Sequence, residues 1–417
     1  MTRTLYAGGQ VFDGTGTPPA GADVVVEDGR FVQIGSGLDG DARIDCTGKT
    51  LLPGLIDCHV HVMFSGIDLL RMVQTPFSYP FYEAIHNLRV TLDQGITTVR
   101  DAGGADLGVQ QAVADGLISG PRMQISLNMI SQTGGHGDDW MPFGASLPLL
   151  MEHPGRPSGI VDGPAEMRRK VRELIRNGAD VIKVATSGGV LSARSDPRHG
   201  HFRDEEVAVL VEEATAAGRF VMAHAQATDG IKLAIRNGVR SIEHGIFLDD
   251  EAIEMMLAAG TWLVPTLAAP RAVLDLADAG AGLPQTVIDK ARMVVDIHVE
   301  SVRRAIDAGV AVAMGTDSGV GAHGYNLREV ALMTECGMTP GQALHATSLS
   351  AARLLGIDDE LGSIEVGKRA DLALVDGDPL DVATLGARIR SVYADGRLVA
   401  APGAGRERPV GQGEAGE

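Results

Sequence analysis

Six times along the chain an amphipathic stretch closes on a glycine, and a short apolar run begins at the next residue. The junctions are Gln94-Gly95-Ile96, Asn177-Gly178-Ala179, Ala217-Gly218-Arg219, Asn237-Gly238-Val239, Ala259-Gly260-Thr261 and Ala308-Gly309-Val310. A glycine just past a helix supplies the left-handed cap that turns the chain into the next strand. Helical spacing supports this: Met167, Val171, Leu174 and Ile175 share one face, as do Val207, Leu210, Val211 and Ala214. The pattern predicts strands at 54–61, 96–101, 122–130, 180–186, 219–224, 239–243, 261–266 and 310–316. Each is followed by helix-compatible sequence, and strands alternating with helices imply a parallel sheet. Eight such units fit an α/β fold of the closed (β/α)8 TIM barrel type. An open doubly wound sheet is the alternative. It calls for a Gly-rich phosphate turn after its first strand, and no such turn is present.

The two ends read differently. Residues 3–52 hold short β segments at Val24–Val26, Phe31–Ile34 and Lys49–Leu52. Residues 362–400 hold more, at Asp371–Val375, Ser391–Tyr393 and Arg397–Ala400. Neither end alone can bury a stable core. Residues 1–52 and 362–400 are therefore expected to pair into one small β-sandwich domain beside a barrel of residues 53–361. The tail 401–417 lacks periodicity and is expected to be disordered.

With 36 Lys and Arg against 54 Asp and Glu, the formal charge is −18. That balance argues against nucleic acid or an anionic membrane as a partner. No apolar run is long enough for a membrane span, and the first residues lack the apolar core of a secretory signal. Cys46, Cys58 and Cys336 cannot form a disulfide framework, so a reducing, cytoplasmic setting is expected.

The first predicted strand reads Gly54-Leu55-Ile56-Asp57-Cys58-His59-Val60-His61. Residues i and i+2 of a strand share a face, so His59 and His61 point the same way at its C-terminal end. Barrel active sites form at that end, and two imidazoles on one face make half a metal site. The bland alternative is two polar residues at a strand end. Lys183 lies within the apolar strand Asp180-Val181-Ile182-Lys183-Val184-Ala185-Thr186. A lysine there must lose its charge or find a carboxylate. A neutral one is a nucleophile able to take up carbon dioxide as a carbamate, an anionic ligand that can bridge two metals. His224 and His244 end strands five and six, and Asp317 follows strand eight. Each histidine alone reads as a hydrogen-bonded core residue. Asp317 is able to ligate metal or to act as a general base. The joint order His-x-His, Lys, His, His, Asp at successive strand ends favours a metal site over coincidence.

This set resembles the amidohydrolase superfamily in its binuclear, carbamylated-lysine branch. The likeness spans nearly the whole chain, from Leu52-Pro53-Gly54-Leu55-Ile56-Asp57 through Ser241-Ile242-Glu243-His244-Gly245 and Gly315-Thr316-Asp317-Ser318 to Gly362-Ser363-Ile364-Glu365-Val366-Gly367. Thr133-Gly134-Gly135-His136-Gly137-Asp138 and Lys183-Val184-Ala185-Thr186-Ser187-Gly188-Gly189 make it similar to the imidazolonepropionase-related group with prolidase-like dipeptidases and carboxypeptidases. The resemblance implies that His59, His61 and Asp317 hold one metal, that His224 and His244 hold a second, and that N6-carboxylated Lys183 bridges the two. Two divalent ions are implied, Zn²⁺ being the usual occupant. It further implies a bridging hydroxide as nucleophile, Asp317 as proton carrier and His136 as a hydrogen-bond donor to the oxyanion. The implied substrate is a small molecule with an amide-type C–N bond, first a dipeptide or N-acyl amino acid. A carbamate, urea or other non-peptide amide is the alternative. A deaminase is disfavoured, since position 227 is Ala where deaminases of this fold carry Glu, and a catalytically silent scaffold is disfavoured because every ligand is present.

One departure from the group stands out. Its dipeptidases carry His-Ala-Tyr after strand five, and this chain carries His224-Ala225-Gln226. Gln226, Arg194, His323 and Tyr325 are the candidate substrate contacts. The segments 134–160, with Trp140, Met141 and Phe143, and 192–203, with Arg198, His199, His201 and Arg203, are candidate lids. His86, His153, His298 and His345 are read as structural. Homo-oligomeric assembly is left open, since no interface is legible.

Overall fold

The computed structural model describes residues 2–141, 143–147, 151–192 and 194–402. Nearly all of the predicted tail therefore lies outside the described residues. The fold is α/β. All six predicted junction glycines have positive φ, between 66° and 100°, so each reverses the chain as its position required.

Two parallel sheets follow the predicted strands. One joins Arg122–Ile125, Ile96–Asp101 and Leu55–Val60. The other runs Met129–Ile130, Val181–Ala185, Phe220–Ala225, Ser241–His244, Trp262–Val264. Helices Tyr79–Leu92, Gly163–Arg176, Asp204–Ala216, Thr228–Arg236 and Asp250–Ala259 alternate with them. Strands Leu55–Val60, Ile96–Asp101 and Val181–Ala185 are buried at every position, as expected where helices cover a parallel sheet.

Two strands differ from expectation. The predicted 122–130 strand is split, because Leu127 adopts φ 65°. The predicted 310–316 strand forms no ladder. It makes the bridges Leu263↔Val312 and Val60↔Ser318, with backbone bonds from Leu263 N to Ala311 O (2.9 Å), Cys58 N to Met314 O (2.8 Å) and Asp317 N to His59 O (2.7 Å). The segment thus lies between Trp262–Val264 and Leu55–Val60, too irregular for a ladder but bonded to both.

The chain ends share a sheet. Its order is Arg397–Ala400, Ile389–Ala394, Leu372–Asp376, Lys49–Pro53, Gln10–Val11, Ala20–Gly21, with Leu374 opposite Leu51. A second sheet holds Arg30–Gly35, Asp23–Glu27, Thr4–Ala7 and Ala42–Asp45. Tyr6, Val24, Val26 and Phe31 of this sheet pack with Leu51, Leu372, Leu374 and Tyr393 of the first in one apolar cluster. Among the described residues no helix is long and apolar enough to cross a membrane. Cys46, Cys58 and Cys336 are free and buried.

Candidate metal centre

The parallel register lines up the chemistry-bearing residues. Lys183 pairs with Met222, Ala185 with His224, and Ala225 with His244, so three successive strands end near one level. His59, His244 and Asp317 offer donor atoms within 4.8 Å of one another. His61 Nε2 lies 3.2 Å from Asp317 Oδ1, and Lys183 Nζ lies 3.4 Å from His59 Nε2. The His224 and His244 rings are 4.5 Å apart, and His136 stacks on His224 at 4.1 Å. All seven residues line one cavity.

Outer partners fix the imidazoles. His61 Nδ1 donates to the Gly103 carbonyl (2.7 Å), which turns Nε2 toward Asp317. His224 Nε2 donates to the Gly188 carbonyl (3.0 Å), which leaves Nδ1 free. His244 Nδ1 contacts Thr266 Oγ1 at 2.7 Å. His59 Nδ1 faces the Glu243 carboxylate at 2.7 Å, and Arg100 Nη2 donates to the other oxygen of that carboxylate at 2.8 Å. Such outer partners orient metal-binding imidazoles and raise their basicity.

His244 and Asp317 adopt left-handed backbone, φ 72° and 57°. Non-glycine residues there carry strain that surrounding contacts must hold. His298 Nε2 donates to the His244 carbonyl (2.9 Å), and His59 O accepts from Asp317 N.

Electrostatics follow burial. Desolvation pulls Lys183 down to about 8, so the neutral amine is accessible near neutral pH. Burial, then Lys183 for His59 and neighbouring histidines for His224 and His244, holds these three rings well below the usual imidazole range. That favours the neutral ring, the form in which an imidazole can bind a metal. Burial opposes a charge on His61, but Asp317 and Asp101 outweigh it and raise its pKa. Burial likewise opposes the Asp317 carboxylate, and His59, His61 and Lys183 outweigh it. Desolvation, then His201 and Lys183, brings His136 to about 3.

The donor set tests whether divalent ions fit. Asp317 Oδ1 is buried without a hydrogen-bond partner, and three imidazoles keep an inward-facing nitrogen. Nitrogen and carboxylate donors around buried, uncharged rings suit zinc-class ions. The residues fit the group.

Gln226 lines the same cavity and is buried. The other candidate contacts lie elsewhere. Arg194 lines a smaller adjoining pocket, its guanidinium 5.2 Å from the Trp140 ring centroid. His323 and Tyr325 border a separate groove, where Tyr325 is exposed, while His323 is buried and its Nε2 donates at 3.0 Å to the carbonyl of Phe64, a residue of the main cavity wall. Segment 134–160 supplies His136, Asp139, Glu152 and Ile160 to the cavity, while Trp140 and Met141 line the adjoining pocket and Phe143 is exposed. Segment 192–203 supplies Ser192, whose Oγ lies 3.0 Å from His136 Nδ1. Arg198 pairs instead with Asp196. His298 lines the cavity wall, whereas His86 borders the outer groove, His153 packs on Phe77 and His345 donates to Gly14 O.

Sequence reading missed Glu243 and Arg100 as site residues. Strand alternation sends Glu243 and His244 to opposite faces, yet both meet His59 because the left-handed turn at His244 breaks the alternation.

The family model of the amidohydrolase family matches residues 50–399. The chain belongs to the amidohydrolase family. It is a hydrolase acting on carbon–nitrogen bonds. Ochratoxinase from Aspergillus niger is 35% identical over 428 residues, which cover 96% of this amidohydrolase and 88% of the relative. The crystal structure of a Xaa-Pro dipeptidase with bound methionine in its active site superposes with TM-score 0.87 at 34% identity, over 95% of this chain and 99% of that one. A prolidase solved with N-methylphosphonate-L-proline gives TM-score 0.87 at 35% identity, over 96% and 100%. These neighbours imply a TIM-barrel α/β fold.

Proposed function

We propose that this amidohydrolase is a binuclear metal-dependent enzyme that cleaves an amide-type C–N bond of a small molecule. The observation that carries the reading is the convergence of four histidines, Lys183 and Asp317 on one buried cavity. Its scaffold is a closed (β/α)8 barrel of residues 53–361, flanked by a β-sandwich of residues 1–52 and 362–400. The backbone bonds of 310–318 to the first and last parallel strands support that closure.

His59, His61 and Asp317 would hold one ion, His224 and His244 the other, and Lys183 as its N6-carboxylate both. Two divalent ions of the zinc class, when bound, lower the pKa of water and polarise the scissile carbonyl. The Lys183 amine, buried and with a lowered pKa, supports carbamate formation: its lone pair adds to carbon dioxide and a proton is lost. The Asp317 carboxylate, held ionised, takes the proton of the attacking water and returns it to the leaving nitrogen. His136 stays neutral at working pH and donates a hydrogen bond to the carbonyl oxygen as charge develops there.

Two substrate readings follow. The Xaa-Pro dipeptidase and the prolidase support a dipeptide or N-acyl amino acid. The apolar wall of the cavity supports a carbamate, urea or other non-peptide amide.

The test is Lys183→Ala. The variant should bind less metal and lose hydrolysis, with partial rescue by short carboxylic acids. Full activity with unchanged metal content would remove Lys183 from the centre.

A further inference from the structure

The charge of the cavity wall discriminates between the two substrate readings. Phe64, Ile67, Met129, Val190, Ile246 and Val273 give it an apolar body. Among the described lining residues none is arginine, and the lysine present is Lys183, which belongs to the metal centre. Arg194 is turned onto Trp140 in the adjoining pocket. A substrate carboxylate would therefore enter without a side-chain cation to replace its hydration, which is strongly unfavourable in an apolar wall.

Gln226 offers the wall an uncharged amide with a bare acceptor. It is 5% exposed, and its Oε1 has no hydrogen-bond partner among the described residues. Its backbone is fixed on both sides: Gln226 N donates to Ser187 Oγ (2.7 Å), and Gln226 O accepts from Phe247 N (2.9 Å). The side chain thus starts from a rigid point two residues beyond His224. A buried, unsatisfied acceptor is unfavourable until a ligand donor meets it.

We propose that the cavity takes an uncharged amide with an apolar body, and that Gln226 Oε1 accepts a hydrogen bond from an N–H of that substrate. This deepens the hydrolase reading above and rests on it for the bond that is cut. A carboxylate beside the same bond is selected against by the apolar wall, which holds no arginine among its described residues.

The test uses two compounds with the same scissile amide and the same two aromatic rings, N-(2-phenylethyl)benzamide and N-benzoylphenylalanine. They differ by one carboxylate. Calorimetry on the zinc-loaded full chain should show the neutral amide bound about tenfold tighter or more. Gln226→Leu should weaken neutral-amide binding about tenfold, the loss of one hydrogen bond to a buried acceptor. Gln226→Arg should reverse the preference toward the acid, with metal content unchanged. Equal or tighter binding of the acid by the natural chain overturns the proposal, as does an unchanged preference in Gln226→Arg or no binding of the neutral amide. Turnover is recorded separately. Binding in the expected order without cleavage counts against the hydrolytic reading and leaves the selectivity standing.

Discussion

Glu243 and His59 meet through a carboxylate-to-imidazole contact of 2.7 Å, and Arg100 closes on the far oxygen of the same carboxylate. All three side chains are essentially inaccessible. Ser241 Oγ donates to the oxygen that Arg100 contacts, at 2.5 Å. The carboxylate therefore balances one buried cation while it orients one imidazole. Glu243→Gln should lower zinc affinity about 10- to 100-fold. It should also destabilise the fold by about 3–5 kcal/mol, since Arg100 loses its counter-charge. Competition with a chromogenic chelator and denaturant melts measure the two effects. Zinc affinity equal to that of the natural chain would show that the contact does not serve the metal.

Asp57 ties the first parallel strand to the segment that carries Asp317. It accepts from His59 N and Thr316 N at 3.1 Å, from Thr316 Oγ1 at 2.7 Å and from Asn326 Nδ2 at 2.8 Å. Asp57→Ala leaves several buried donors unsatisfied, each worth about 1–3 kcal/mol. A fall in melting temperature together with reduced metal content is expected. A stable variant with full metal would mean that Asp317 is positioned without Asp57.

Two glycines sit against site imidazoles and separate their roles. A Cβ on Gly189 would fall within 2.8 Å of His136 Nε2, and one on Gly315 would fall 2.8 Å from His59 Cβ. Gly189→Ala should reduce kcat while metal content stays normal, because His136 moves and the ligands do not. Gly315→Ala should reduce metal content. Metal analysis beside steady-state kinetics distinguishes them, and identical behaviour of the two variants would contradict the assignment.

Asp317→Asn keeps the size of the side chain and removes its basicity. Turnover should fall by about 10²–10⁴. Near-normal turnover at saturating metal would exclude Asp317 as the proton carrier.

Lys290, on the helix Gln285–Ala308, donates to the carbonyls of Ser192 (2.6 Å), Gly189 (3.3 Å) and Ser195. It pins the loop that brings Val190, Leu191 and Ser192 to the cavity. Lys290→Met should raise KM several-fold more than it lowers kcat, since the wall loosens and the metal centre does not. A loss confined to kcat would place its effect on the chemistry instead.

The amino-acid order alone determined the alternation of helix, glycine cap and strand, because a left-handed turn at each of Gly95, Gly178, Gly218, Gly238, Gly260 and Gly309 is a local backbone property. It also determined the candidate donor set. His59 and His61 share a face by the two-residue strand period, and a lysine inside an apolar run is anomalous wherever it folds. Long-range contacts decided the rest. The 310–318 segment bonds to both neighbouring strands without becoming a ladder, and Asp317 takes φ 57° near its end. His244 meets the same His59 ring as Glu243 because His244 leaves extended backbone, and Arg100 reaches Glu243 from another strand. His323 and Tyr325 follow the same strand end in sequence but face a different groove. Gln226 keeps a bare acceptor in a wall without arginine among its described residues. Local preferences act over a few residues and can be read from their order. The pairing of buried charges and the polarity of a cavity depend on which distant segments become neighbours, and packing alone sets that.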